Sequence, residues 1–123
     1  MPKIPDIRWL AEPEEANYPA AASYLALVVD EKEADRTVKR LRKAPMTTFK
    51  AKDIFRASGL PLLGISNFQV DKNREKIKAG KPISPLLLVR DSARGKVVIA
   101  DGYHRLCAVY SLHQDTPIPC KIA

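Results

Sequence analysis

The chain has 123 residues, a formal net charge of +7, 46% hydrophobic residues and two cysteines. That length supports one domain with a real core, and the apolar content excludes a disordered chain. No apolar run is long enough to span a bilayer, the N-terminus lacks the apolar segment of a signal peptide, and two cysteines are too few for a secreted disulfide framework.

The expected setting is therefore a reducing cytoplasm with no membrane contact. The positive balance favours an anionic partner such as a nucleotide, nucleic acid or an acidic protein. The charge is unevenly spread. Acids dominate the first 35 residues, whereas Arg36, Lys39, Arg40, Arg42, Lys43, Lys50 and Lys52 follow without an intervening acid.

Residues 1–17 read as an extended acidic arm, because Pro2, Pro5 and Pro13 forbid a regular element, and Trp9 reads as its anchor to the core. Residues 18–70 read as a helical N-terminal part. Pro19 suits the first turn of a helix that runs to about Val29. Asp30 and Glu33 have the spacing of a capping pair for a second helix, Glu31–Lys43, whose Ala34, Val38 and Leu41 share one face. Pro45 ends it. Met46–Phe49 leads into a short helix, Ala51–Ser58, which Gly59 and Pro61 stop. Leu60–Val70 mixes apolar residues with Gly64, Ser66 and Asn67 and points to no single element.

Residues 71–123 read as the core. Asp71–Ala79 predicts a helix with Gly80 just past its end. Pro85–Arg90 and Lys96–Ala100 predict two short strands joined by a five-residue turn, then a helix Tyr103–His113 and a last strand Ile118–Ile122. Leu106, Val109 and Tyr110 lie on one face of that helix, which should pack on the sheet. Strands and helices mix without strict alternation, so the fold class is α+β, a small mixed sheet with surrounding helices.

The most informative stretch is Val97–Leu112, VVIADGYHRLCAVYSL. A β-branched run stops at Asp101-Gly102 and a helix begins at once, with His104 and Arg105 in its first turn. Helix N-termini carry unpaired N–H groups and a positive dipole end, so such a junction can hold an anion, and His and Arg make phosphate the natural one. Gly102 suits a tight turn that demands positive φ. Asp101 is a candidate general base or magnesium ligand, and its position equally suits an ordinary helix cap. Arg105 opposes the helix dipole and needs a compensating anion, whether ligand phosphate or a carboxylate of the fold. Cys107 and Cys120 read as buried reduced thiols, because the spacing of His104, Cys107, His113 and Cys120 matches no standard zinc site.

From about Asp71 to Ala123 the pattern resembles the ParB/sulfiredoxin-like superfamily. Helix, strand, turn, strand, the D-G-Y-H-R junction, helix and closing PIPCKI follow in that order. The resemblance implies nucleotide phosphates held at Gly102, Tyr103, His104 and Arg105, with Lys72 and Lys76 on a helix that faces the nucleotide. It also implies where this chain departs from its relatives. Sulfiredoxins place a catalytic cysteine before His-Arg; Tyr103 stands there and Cys107 lies a turn away, which argues against sulfinic-acid reduction. Ten residues follow His113, so the helix-turn-helix domain of chromosome-partition ParB proteins is not expected. A third branch, kinases of small substrates, has a D-G-H-H-R junction; Asp101 would match its acidic base, and Tyr103 replaces one of its histidines.

The expectation is a domain that binds a nucleoside di- or triphosphate; if it is an enzyme, it is a small phosphotransferase or nucleotide hydrolase, and magnesium is then expected. The alternative is a non-catalytic module that binds nucleic acid or protein through the basic stretch Arg36–Lys52.

Overall fold

The central strand of the sheet, Leu86-Leu87-Leu88, is buried on both faces, and the other elements are arranged to cover it. A computed structural model describes residues 3–123, so Met1 and the expected helix-breaking Pro2 lie outside the described residues. The order is α1 (Asn17–Val28), α2 (Glu31–Lys43), β1 (Thr47–Lys50), α3 (Ala51–Ser58), α4 (Phe68–Lys78), β2 (Leu86–Asp91), β3 (Lys96–Asp101), α5 (Tyr103–Leu112) and β4 (Pro117–Ile122). The strands lie side by side as β1-β4-β2-β3. The β1–β4 and β2–β3 pairs are antiparallel, and β4 runs parallel to β2. The protein is thus α+β with a small mixed sheet.

Side chains alternate across a strand, so each face has its own core. Leu86, Leu88, Val97, Ile99, Ile118 and Cys120 point to the face covered by α3, α4 and α5. Leu87 and Ala100 point to the other, where Tyr18, Ala21 and Leu25 of α1 meet Ala34, Val38 and Leu41 of α2. A strand covered on both sides has no polar face to offer, which is why its sequence is a continuous apolar run.

Local chemistry sets the helix ends. The Asp30 side chain accepts a 2.8 Å hydrogen bond from the Glu33 N–H and caps α2. The reciprocal half of a capping box is not made; Glu33 instead lies 3.4 Å from Arg36 and 3.5 Å from Arg40. Gly59, at φ 68°, ends α3 in the left-handed conformation. The expected helix at Asp71–Ala79 begins earlier, at Phe68, because the Asn67 side chain accepts from the N–H groups of Gln69 and Val70. On α5, Leu106 and Val109 are buried, while Tyr110 is half-buried and meets Phe55 of α3 edge-on.

The N-terminal arm is tied to the core. Trp9 forms a parallel bridge with Ile83 and packs against the larger core, as its anchoring role requires. A buried lysine makes a second tie. Lys121 of β4 points to the α1–α2 face, where its Nζ donates to the carbonyl of Arg42 at 2.9 Å and lies 3.4 Å from Glu12. Burial alone would lower its pKa, but the Tyr18 hydroxyl and the Glu12 carboxylate outweigh that and hold it above the ordinary lysine value.

Two outcomes follow from these ties. Lys121→Ala removes the donor to the C-terminal end of α2 and the packed lysine stem, and should cost about 2 kcal/mol of unfolding free energy in a denaturant titration. Asp115, paired with Lys52 of α3 at 2.7 Å, is held below the usual carboxylate range chiefly by the hydrogen bond from that ammonium. A depressed carboxylate stabilises above its unfolded pKa, and that contribution is lost as pH falls through the folded value. Asp115→Asn should therefore lower the unfolding midpoint at neutral pH, and the gap from the unmodified protein should close on acidification.

Candidate functional site

The strand-to-helix junction turns on Gly102. Its φ is 108°, and a Cβ built there would lie 2.7 Å from Leu86 Cγ and 2.9 Å from Arg105 Nη2. Positive φ and lack of space both exclude a side chain, so the glycine presses the first turn of α5 directly onto the start of β2. Gly102 itself is the residue before the helix, and no side chain caps it. The expectation that Asp101 caps α5 is thus corrected: the carboxylate is used elsewhere.

That use is Arg105. Its Nη2 donates to Asp101 Oδ2 at 3.0 Å and to the carbonyl of Pro85 at 3.4 Å. Both side chains are largely buried, at 17% and 20% exposure. The anion that compensates an arginine in the first turn is therefore Asp101, four residues earlier on the other side of the glycine kink. One guanidinium thereby joins the end of β3, the start of β2 and the start of α5. The Nε of Arg105 is buried and has no hydrogen-bond partner among the described residues, a donor left unsatisfied at a cost.

Above this pair lies an open cleft of about 450 Å³. Its floor is Ile99–Gly102 with Tyr103 and His104, and its walls are Ala20 and Tyr24 of α1 and Leu60 from the α3–α4 connection. The first intrahelical bond of α5 runs from Leu106 N–H to Gly102 C=O at 2.9 Å. The N–H groups of Tyr103, His104 and Arg105 precede it and have no acceptor within the helix. Tyr103 has two roles. Its ring lies 5.6 Å from that of His104, and its hydroxyl donates to the Pro61 carbonyl, holding the segment that carries Leu60. Burial first, and then the neighbouring Cys107, push the phenol pKa up, so it stays a neutral donor.

The structure brings Asp101, Gly102, Tyr103 and His104 to one cleft, with Arg105 packed beneath it. Lys72 and Lys76 of α4 are exposed and do not line it. The walls from Ala20, Tyr24 and Leu60 are invisible to a motif search, because they come from elements distant in sequence. Cys107 is fully buried, and burial raises its thiol pKa, so it is no nucleophile for this cleft. Burial likewise pushes the Cys120 thiol up to about 11.

Gly102→Ala should be the most damaging single-methyl change at the junction. Strained φ and overlap with Leu86 together predict a loss of about 3 kcal/mol, read as a lower midpoint in chemical denaturation.

Set against known proteins, the chain matches no protein family, no curated protein and no solved structure.

Proposed function

We propose that the N-terminus of α5 is a phosphate site and that the chain binds a nucleoside di- or triphosphate in a ParB/sulfiredoxin-like arrangement. The observation that carries this reading is the start of α5 at the cleft: Tyr103 and His104 line it, and the N–H groups of Tyr103, His104 and Arg105 have no acceptor within the helix. Backbone donors and the helix dipole favour an anion there without any further charge. The apolar walls, Ala20, Tyr24 and Leu60, give the non-phosphate part of a nucleotide a surface to lie on.

In this reading the roles of Arg105 and His104 differ. His104 and the N–H groups touch phosphate oxygens. Arg105 positions the turn from below, with its charge balanced by Asp101. A phosphotransferase or hydrolase step that used Asp101 as its base would first have to release Oδ2 from Arg105. The cleft offers magnesium one carboxylate only, the same Asp101, so its residues do not make a resident metal site; the ion would arrive on the nucleotide.

The alternative, a nucleic-acid or protein module built on the basic stretch, draws little from the geometry. Arg36 and Arg40 both lie against Glu33, and Arg42 pairs with Glu15 and covers the Tyr18 ring at 4.3 Å. Its three arginines are thus each held by an acid of the same chain, two of them by a single carboxylate, and the stretch keeps a net positive charge.

Thermal unfolding with ATP, ADP, CTP and GTP, each with and without magnesium, tests the reading. A ligand at a hundred times its Kd should add roughly 2.7 kcal/mol of stability. His104→Ala should lose the ligand-induced shift while its own midpoint stays near that of the unmodified protein. Arg105→Ala should lose the shift and also melt earlier without ligand, because Asp101 is left without its partner. If no nucleotide shifts the midpoint at millimolar concentration, the reading is wrong.

A further inference from the structure

The sheet face under α3 is longer than the helices that cover it. On β2 the alternation Leu86, Leu88, Arg90 puts an arginine on the same face as two core leucines, opposite Val97 of β3 in the strand register. Residues in that row are normally apolar, because the row faces the core. Here the eight-residue α3 ends at Ser58, and the uncovered end of the face is left as a hollow.

The hollow has two parts. An apolar cavity of about 190 Å³ is lined by Phe49, Ile54, Leu88, Val97 and Ile122, with Ala57 and Asp53 of α3 on one side. It runs into a wider mouth that shares Phe49, Ala57, Val97 and Ile122 and adds Arg90, Asp91 and Lys96. An apolar cavity of roughly 150 Å³ in another protein suffices to hold benzene, so this one accommodates a branched aliphatic or aromatic side chain. The apolar cavity lies on the face opposite α1 and α2, Arg90 and Asp91 of the mouth stand at the sheet edge that both faces share, and neither part shares a residue with the cleft at the α5 N-terminus.

The charges around it are complementary to a zwitterion. Among the described residues Arg90 has no carboxylate within ion-pair distance. Asp53 has only Arg56, at the limiting distance of 3.9 Å. The other two charges of the mouth are already placed: Asp91 accepts from Arg94 at 3.1 Å, and Lys96 Nζ lies beside Gly59 at the C-terminal end of α3, where a cation suits the helix dipole. One carboxylate, lining the apolar cavity, and one guanidinium, lining the mouth that it runs into, thus remain without a close partner. A free α-amino acid presents the matching set, with an ammonium, a carboxylate and a side chain.

We infer that this hollow binds a free amino acid with a branched or aromatic apolar side chain. Its ammonium lies on Asp53, its carboxylate on Arg90, and its side chain among Phe49, Leu88 and Ile122. Most of the affinity comes from the buried side chain, and the exposed ion pairs set specificity. The proposal is independent of the nucleotide reading.

Titration of the isotope-labelled protein with leucine and with phenylalanine, followed through the methyl signals of Leu88, Val97 and Ile122, is the test. Those signals should move, and glycine should leave them in place. N-acetyl-leucine, which lacks the ammonium, and leucinamide, which lacks the carboxylate, should each bind roughly two- to fivefold more weakly than leucine. Asp53→Asn should erase the penalty for acetylation and Arg90→Gln the penalty for the amide, each leaving the other intact. Methyl signals that stay in place with both amino acids overturn the site. Equal binding of leucine, its two analogues and 3-methylbutanol overturns the zwitterion assignment, and those four measurements need no variant to fold.

Discussion

The burial of Leu86–Leu88, the first half of β2, on both faces is the constraint from which the rest of the architecture follows. Leu86, Leu87 and Leu88 are each 1% exposed or less, so apolar surface has to be supplied on two sides of a sheet only four strands wide. The sequence supplies it in two blocks: α1 and α2 before the sheet, and α3, α4 and α5 interleaved with its strands. Of the order of 2 kcal/mol is gained for each large side chain taken out of water. That gain holds the two blocks together through one strand, and a defect in β2 is felt by both cores.

The candidate phosphate cleft depends on the same strand. Leu86 is the first residue of β2 and also the floor against which Gly102 packs. The carbonyl of Pro85, one residue earlier, accepts from Arg105. The position of the α5 N-terminus is therefore fixed by the end of the buried strand, and a loop conformation alone does not set it. This rigidity is what a binding site needs, since donors held in place before binding lose little freedom on contact with the ligand. The opposite wall is softer. Leu60 belongs to a connection without regular structure, held at Pro61 by the Tyr103 hydroxyl.

Much of the fold is legible from local chemistry, because caps and breakers act over a few residues. Asp30 starts α2, Gly59 ends α3, and the apolar spacing of Ala34, Val38 and Leu41 selects the buried face of α2. The start of α4 is missed by reading Asp71 as the first signal when Asn67 is the working cap. At the site, the junction and its glycine are legible, and the mutual use of Asp101 and Arg105 is not. Each has a plausible separate role in the sequence, as cap or base and as phosphate ligand. Their pairing depends on a backbone kink at Gly102, which carries a residue preceding the helix to within reach of one in its first turn. The walls at Tyr24 and Leu60 are non-local, and no spacing along the chain encodes them.

The Asp101–Arg105 pair also changes the physical character of the site. An arginine in the first turn of a helix works against the dipole, and a carboxylate at that end works with it. Paired, the two add no net charge, so the field at the cleft is that of the helix end and its N–H groups. Attraction for an anion then falls off within a turn of the helix and depends on close geometric fit. A cluster of unpaired cations would instead act at longer range and hold many polyanions equally well. Much of the positive charge of this protein lies elsewhere, on α2, where Glu33 and Glu15 pair with its three arginines. A site of this kind discriminates by shape. On the proposed reading, it would favour a small ligand whose phosphate reaches the N–H groups while its remaining surface lies against Tyr24 and Leu60.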